Sequence, residues 1–250
     1  MNKKLYVLGG LTIMAIVLIG WLAVRGLSES NLVANNKAVD DSTIKAQATQ
    51  SLKDTLNIAN QLYGITEGAA FGYKPLNDYG TSGNFGVYKG STGERLIEEK
   101  FVQFEDVNNT AEQGTNYSAV VDSKTNKVVS FVRKPHYGFC KEGQSSPCGN
   151  VMDQAKLGQL VQQFLEKVEP EFKKLTSNLA QYRVEKKAGQ GGDNYFFRWE
   201  DGGFKDKLPV GVEIDNSPMI QVGITSTGFI FSYDNTMSLY QDALKQLATE

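Results

Sequence analysis

The chain has 250 residues, with 26 basic and 28 acidic side chains, one histidine and two cysteines. Three of the basic residues, Lys3, Lys4 and Arg25, lie at the N-terminus, so the remaining body is net acidic. Nucleic-acid binding needs a basic face, and nucleic acid is therefore excluded as an expected partner. So few histidines and cysteines also exclude most metal and nucleophilic sites, and no catalytic, metal-binding or cofactor-binding residue is predicted.

An uncharged run, Leu5–Val24, begins the chain. At ~1.5 Å rise per residue its length matches the ~30 Å hydrocarbon core of a bilayer, which predicts a membrane anchor over residues 1–25. The preceding lysines place the N-terminus inside and the body outside, as a single-pass protein of the cell membrane. The alternative is secretion after signal cleavage near residues 26–30. The membrane is thus one expected partner.

A polar linker is predicted over 26–41, and a first α+β unit over 42–135. Apolar residues recur every three or four positions from Ile44 to Tyr63, which predicts a helix that ends at Gly64. The glycine-rich segment that follows predicts turns and short strands near 70–73 and 85–88. Further strands are predicted in this unit near 100–105, 117–121 and 128–133.

A loop over 136–150 holds both cysteines, and a second α+β unit is predicted over 151–250. Its helix begins near Val151 or Asp153 and is stopped or kinked by Pro170, because proline lacks the backbone N–H and clashes with the preceding turn. A short second helix follows. The remaining pattern predicts strands at about 181–186, 194–200, 210–214, 218–224 and 228–233, then a terminal helix at about 237–249.

The two halves resemble each other in sequence. Val128–Phe131 matches Ile230–Tyr233, and Phe101–Asp106 matches Phe196–Asp201. At the offset of the first match, apolar residues of the first predicted helix fall on apolar residues of the second. Three ordered matches at similar spacing predict an internal repeat.

The second half carries the segments LVQQFLEKVEPEF, FFRWEDG, LPVGVEI and VGITSTGFIFSYDN, in that order. In this pattern it resembles PepSY-type domains, in particular the duplicated form in bacterial cell-surface proteins of the YcdB kind. The resemblance implies a helix packed on a small antiparallel sheet, repeated twice. The expected fold class is therefore α+β, with an N-terminal transmembrane helix followed by two tandem PepSY-like units. The resemblance also implies an extracytoplasmic, non-catalytic role in binding or inhibiting other envelope proteins.

Cys140 and Cys148 enclose a turn-rich loop on the exported side, which predicts a disulfide bond. Two alternatives stay open. A metal site would recruit His136 but lacks a fourth ligand and close cysteine spacing. A catalytic thiol paired with His136 would need an unpaired cysteine.

Five aromatic residues in the glycine-rich part of the chain form the candidate recognition surface: Phe71, Tyr73, Tyr79, Phe85 and Tyr88. Such rings either recognise a peptide or glycan, or pack on the sheet. The expected function is a non-catalytic module that binds or modulates another envelope protein or peptide. The alternatives are an envelope hydrolase whose carboxylates assemble only in three dimensions, and a passive structural component.

Overall fold

The computed structural model describes most of the body of the chain. The described residues are 40–65, 72–77, 80, 85–97, 99–106, 118–138, 147, 149–177, 179, 181–189 and 191–248. The predicted anchor Leu5–Val24 lies outside them. Contacts divide the chain after Thr43, and Ile44–Glu250 form one compact unit. In the described part of the chain, no helix has both the length and the apolar character needed to cross a bilayer.

Four α-helices occur in the described residues: α1 Asp41–Leu62, α2 Gln154–Val168, α3 Phe172–Thr176 and α4 Met237–Leu247. The Asp153 side chain caps α2 by accepting the backbone N–H of Lys156 at 2.8 Å. Gly64 follows α1 at φ 88°, a left-handed conformation that glycine adopts without strain. These helix positions confirm the spacing-based predictions.

Eleven strands lie in the described residues. They are β1 Tyr73–Pro75, β2 Val87–Lys89, β3 Glu94–Arg95, β4 Phe101–Asp106, β5 Ser118–Asp122, β6 Val128–Val132, β7 Gln181–Gly189, β8 Gly192–Glu200, β9 Val212–Ile214, β10 Met219–Thr225 and β11 Ile230–Asn235. A short 3-10 helix, Phe204–Lys207, follows β8. Most of these strands lie within two or three residues of their predicted positions.

Eight of the strands form one antiparallel sheet, in the order β1-β4-β5-β6-β11-β10-β8-β7. The first four strands in this order come from the first half of the chain, and the last four come from the second half. They join where β6 pairs with β11, with Phe131 opposite Tyr233. A second sheet has the order β3-β2-β9 and also takes strands from both halves.

The predicted fold class is therefore wrong in its architecture. It expected a transmembrane helix followed by two tandem helix-plus-sheet units, each with its own sheet. Instead, one continuous sheet runs through both halves, and the described chain contains no membrane-spanning helix. The class that the structure supports is α+β with a large antiparallel sheet and few helices.

Two apolar clusters cover opposite faces of this sheet. The first packs α1, α2 and α3 against residues such as Val102, Phe131 and Tyr233. The second packs α4 and the small sheet against Phe101 and Val129. Adjacent residues Phe101 and Val102 belong to different clusters because successive strand side chains point to opposite faces. The second cluster contains no residue of β7, β8, β10 or β11.

Candidate functional site

Of the five predicted recognition aromatics, the three in the described residues lie in different parts of the fold. Phe85 is a core residue, 3% exposed, with its ring 4.8 Å from that of Tyr240. The Tyr73 hydroxyl donates to the Val132 carbonyl in the large sheet at 2.9 Å. Tyr88 belongs to the small sheet and donates to Asp215 at 2.9 Å. Phe71 and Tyr79 lie outside the described residues, as do both predicted disulfide residues, Cys140 and Cys148.

The ends of the cysteine loop are held together. The N–H of Gly149 donates to the carbonyl of Tyr137 at 2.9 Å. Beside them, the His136 ring packs edge-on against Tyr63 and Phe229, at 5.7 Å from each centroid. Burial lowers the pKa of His136, which favours the neutral ring. In the described residues no three His, Cys, Asp or Glu side chains are grouped to hold a metal ion.

The strand β7 forms one edge of the large sheet and pairs with β8 from Gln181–Glu200 to Gly189–Gly192. Two residues connect these strands. In a hairpin with a two-residue loop, the two residues that flank the loop form both backbone hydrogen bonds with each other. Along the strands, hydrogen-bonded pairs then alternate with pairs that are not hydrogen-bonded. Val184, Lys186 and Ala188 therefore direct their backbone N–H and C=O groups away from β8. No described strand pairs with this side, which can accept an added strand.

The β7–β8 hairpin is fixed at its tip by Tyr137. The Tyr137 hydroxyl donates a hydrogen bond to Asn194 Oδ1 at 2.8 Å. A Cβ atom at Gly189 would lie 2.7 Å from the Tyr137 hydroxyl, and one at Gly192 would lie 2.8 Å from Tyr137 Cδ1. Only glycine therefore allows the tyrosine to approach the hairpin this closely. The contact holds the register of the β7 edge.

The exposed side chains of β7 carry alternating charges on one face of the sheet. By strand alternation, Arg183, Glu185 and Lys187 share the face opposite to α1, α2 and α3. Lys187 Nζ lies 3.5 Å from Glu185 Oε1. Arg183 is opposite Arg198, whose Nε lies 2.8 Å from Glu200 Oε2. Among the described residues, Arg183 has no carboxylate in ion-pair contact.

The same face carries a row of polar residues across five strands. Direct cross-strand pairs run from Arg183 to Arg198, Gln221, Asp234 and Ser130. Burial raises the pKa of the half-buried Asp234 to about 6, and the charge of Arg198 lowers it only in part. Burial thus makes ionisation of Asp234 less favourable than in water, as is often seen for carboxyl groups at functional sites.

A groove of about 450 Å³ lies on the helical face beside this edge. It separates the first turns of α2 from β8. Gly158 opens it, because a Cβ there would lie 3.2 Å from the Phe197 ring. The groove is lined without charged side chains by Gln154, Ala155, Gly158, Gln159, Gln162, Phe197 and Trp199.

A buried carboxylate, Glu169, is a structural group that the sequence pattern did not reveal. It is 1% exposed, and its two carboxylate oxygens accept hydrogen bonds from the Lys127 ammonium, Oε1 at 3.2 Å and Oε2 at 3.3 Å. Asn235 Nδ2 donates to Glu169 at 3.1 Å and also to the Tyr233 hydroxyl at 3.0 Å. Burial raises the pKa of Tyr233. The network joins the end of α2 to β11. Glu169 directly follows α2, and nothing in the sequence indicated this role for it.

Comparison with known proteins gives no match to a protein-family model, to a curated protein or to a solved structure. The components of the candidate site are a strand edge that pairs with no described strand, an alternating set of exposed charges and an adjoining uncharged groove. Each is suited to contact with an extended chain.

Proposed function

We propose that this protein is a non-catalytic binding module of the cell envelope, which captures an extended segment of another protein or a peptide. The observation that carries the proposal is the outer side of β7. This edge is nine residues long, and its backbone groups are free of any described strand. An extended segment that pairs there gains main-chain hydrogen bonds, a recurring mode of peptide recognition.

Supporting features come from the sequence and from the site. The Leu5–Val24 run favours a location at the membrane with the body outside, and secretion after cleavage is the alternative. The resemblance to PepSY-type envelope proteins points to the same class of function. The β7 edge also adjoins the groove beside α2, where a bound segment has room to place a side chain.

The hydrolase alternative requires two carboxyl groups in one cleft. Two described carboxyl groups have raised pKa values, Asp234 and Glu99. Burial is the main cause for both. The charge that acts on Asp234 is Arg198, whereas those on Glu99 include Asp122 and Lys124. Because the two groups have different neighbours, their geometry does not favour an acid and nucleophile pair.

The test removes an edge donor without changing the exposed surface elsewhere. Displayed nine-residue peptides are selected on the full-length protein, and binders are measured against Lys186→Pro and Lys186→Ala variants. Proline removes the outward N–H, which costs about 0.5–1.5 kcal/mol per lost bond, so affinity should fall up to about tenfold. The alanine variant loses the exposed ion pair with Asp193 and the contact of the Lys186 ammonium with the Tyr195 ring, but keeps the outward N–H, so it should bind normally. Strand addition would be refuted if the binders had the same affinity for the Lys186→Pro variant, or if no binders were found.

A further inference from the structure

The charges of the β7 edge specify which extended segment fits it. Arg183, Glu185 and Lys187 lie at alternate positions on one face, and all three are exposed. From this geometry we propose that the captured segment carries the complementary pattern, acid–x–base–x–acid, opposite these three residues. The inference rests on the proposed function, because it describes the partner of the same edge.

The backbone geometry brings these side chains close to an added strand. Val184, Lys186 and Ala188 direct their N–H and C=O groups outward and would form the hydrogen-bonded pairs. In an antiparallel addition the intervening residues then occupy non-hydrogen-bonded pairs, where Cα atoms approach to about 4.5 Å and side chains are closest. Opposite charges at such positions stabilise the pair, and like charges destabilise it. Because the pattern is palindromic, it holds for either strand direction.

The existing ion pairs leave this face open to new partners. Lys187 and Glu185 are 3.5 Å apart and both exposed, so their mutual attraction is weak. The cross-strand neighbour of Arg183 is Arg198, which is also positively charged. Since Arg198 contacts Glu200, an acidic side chain on the incoming strand is the matching partner for Arg183.

A second copy of β7 in full overlap is a poor occupant of this edge. The strand Gln181–Gly189 is centred on Glu185. Full antiparallel overlap of two copies would place Arg183 against Lys187 and Glu185 against Glu185. Full parallel overlap would place each residue against itself. Every charged pair on this face is then repulsive, which disfavours these two full-overlap registers.

The test uses two synthetic peptides, one with Glu-Thr-Lys-Thr-Glu at its centre and one with Lys-Thr-Glu-Thr-Lys, flanked identically by threonine and valine. Each is titrated calorimetrically into the full-length protein in mild detergent. The first should bind about tenfold more tightly than the second, since three cross-strand pairs change sign. The difference should shrink in 1 M salt, where the Debye length is about 3 Å. A variant with Arg183→Glu, Glu185→Lys and Lys187→Glu should reverse the preference.

The outcomes separate this inference from the function on which it rests. Equal affinities for the two peptides, with both weakened in Lys186→Pro, would overturn the charge pattern and leave strand addition standing. No binding of either peptide, or binding that Lys186→Pro does not weaken, would overturn both. A concentration-dependent dimer that Lys186→Pro disrupts would show that a second copy occupies the edge, and would also overturn the inference.

Discussion

Phe131 and Tyr233 face each other across the strand pair that joins the two halves of the sheet, with ring centroids 6.0 Å apart. The sequence match places Phe131 on Tyr233, and their flanking pairs, Ser130–Asp234 and Val132–Ser232, are related symmetrically about them. The pairing of β6 with β11 is therefore locally two-fold symmetric about this pair. The internal repeat itself stays a prediction.

Removal of the Phe131 ring should destabilise the whole unit. Phe131 is 2% exposed and also contacts Phe164 of α2, so Phe131→Ala leaves a cavity at the junction. We expect a loss of about 3–5 kcal/mol in the free energy of unfolding, measured by urea titration with circular dichroism. The control Tyr233→Phe keeps its ring and should lose about 1 kcal/mol. A loss below 1 kcal/mol for Phe131→Ala would contradict this packing.

Hydrophobic periodicity predicted the helices and most strands because each element buries one face, and that pattern is local. Which strands pair with each other, however, depends on residues far apart in the chain. The sequence matched Phe131 with Tyr233 but gave no reason to pair them, so two separate sheets were expected. Arg183, Glu185 and Lys187 were visible in the sequence, yet their position on an edge follows from the strand order. Phe85 stands among glycines, and its burial depends on Tyr240, far along the chain.

Asp234 should make stability depend on pH. Burial raises its pKa to about 6 in the folded protein, against about 3.9 when unfolded. The folded state then binds more protons between these values, so the free energy of unfolding should fall as the pH rises from about 4 through about 6. The contribution is at most about 3 kcal/mol. Urea titrations at several pH values should show that Asp234→Asn removes this dependence and that Ser130→Ala retains it. An unchanged slope in Asp234→Asn would show that Asp234 ionises normally.

The Lys127–Glu169 pair should respond asymmetrically to substitution. Lys127→Met leaves a buried carboxylate without its cation, which we expect to cost about 2–4 kcal/mol. Glu169→Gln leaves the half-exposed ammonium of Lys127 to water and should cost less, about 1 kcal/mol. In a double-mutant cycle the combined loss should be smaller than the sum. Additive losses would mean that the two side chains do not interact.

The hairpin tip depends on the absence of a side chain at Gly192. Gly192→Ala would bring a Cβ to 2.8 Å from the Tyr137 ring, so we expect a loss of about 1–3 kcal/mol. Gly203→Ala is the matched control, because its nearest neighbour would lie at an ordinary 3.8 Å. Thermal unfolding should separate the two variants by several degrees. Equal melting temperatures would mean that Tyr137 does not fix the hairpin.

Residue-resolved hydrogen exchange on β7 tests strand addition most directly. In the free protein the amides of Val184, Lys186 and Ala188 face outward and should exchange rapidly, whereas those of Arg183, Glu185 and Lys187 bond to β8 and should be protected. Binding of the peptide with Glu-Thr-Lys-Thr-Glu should protect the first three amides and leave the alternation elsewhere unchanged. If the peptide binds while these three amides keep their rapid exchange, the segment does not pair with β7 and the proposed function is contradicted.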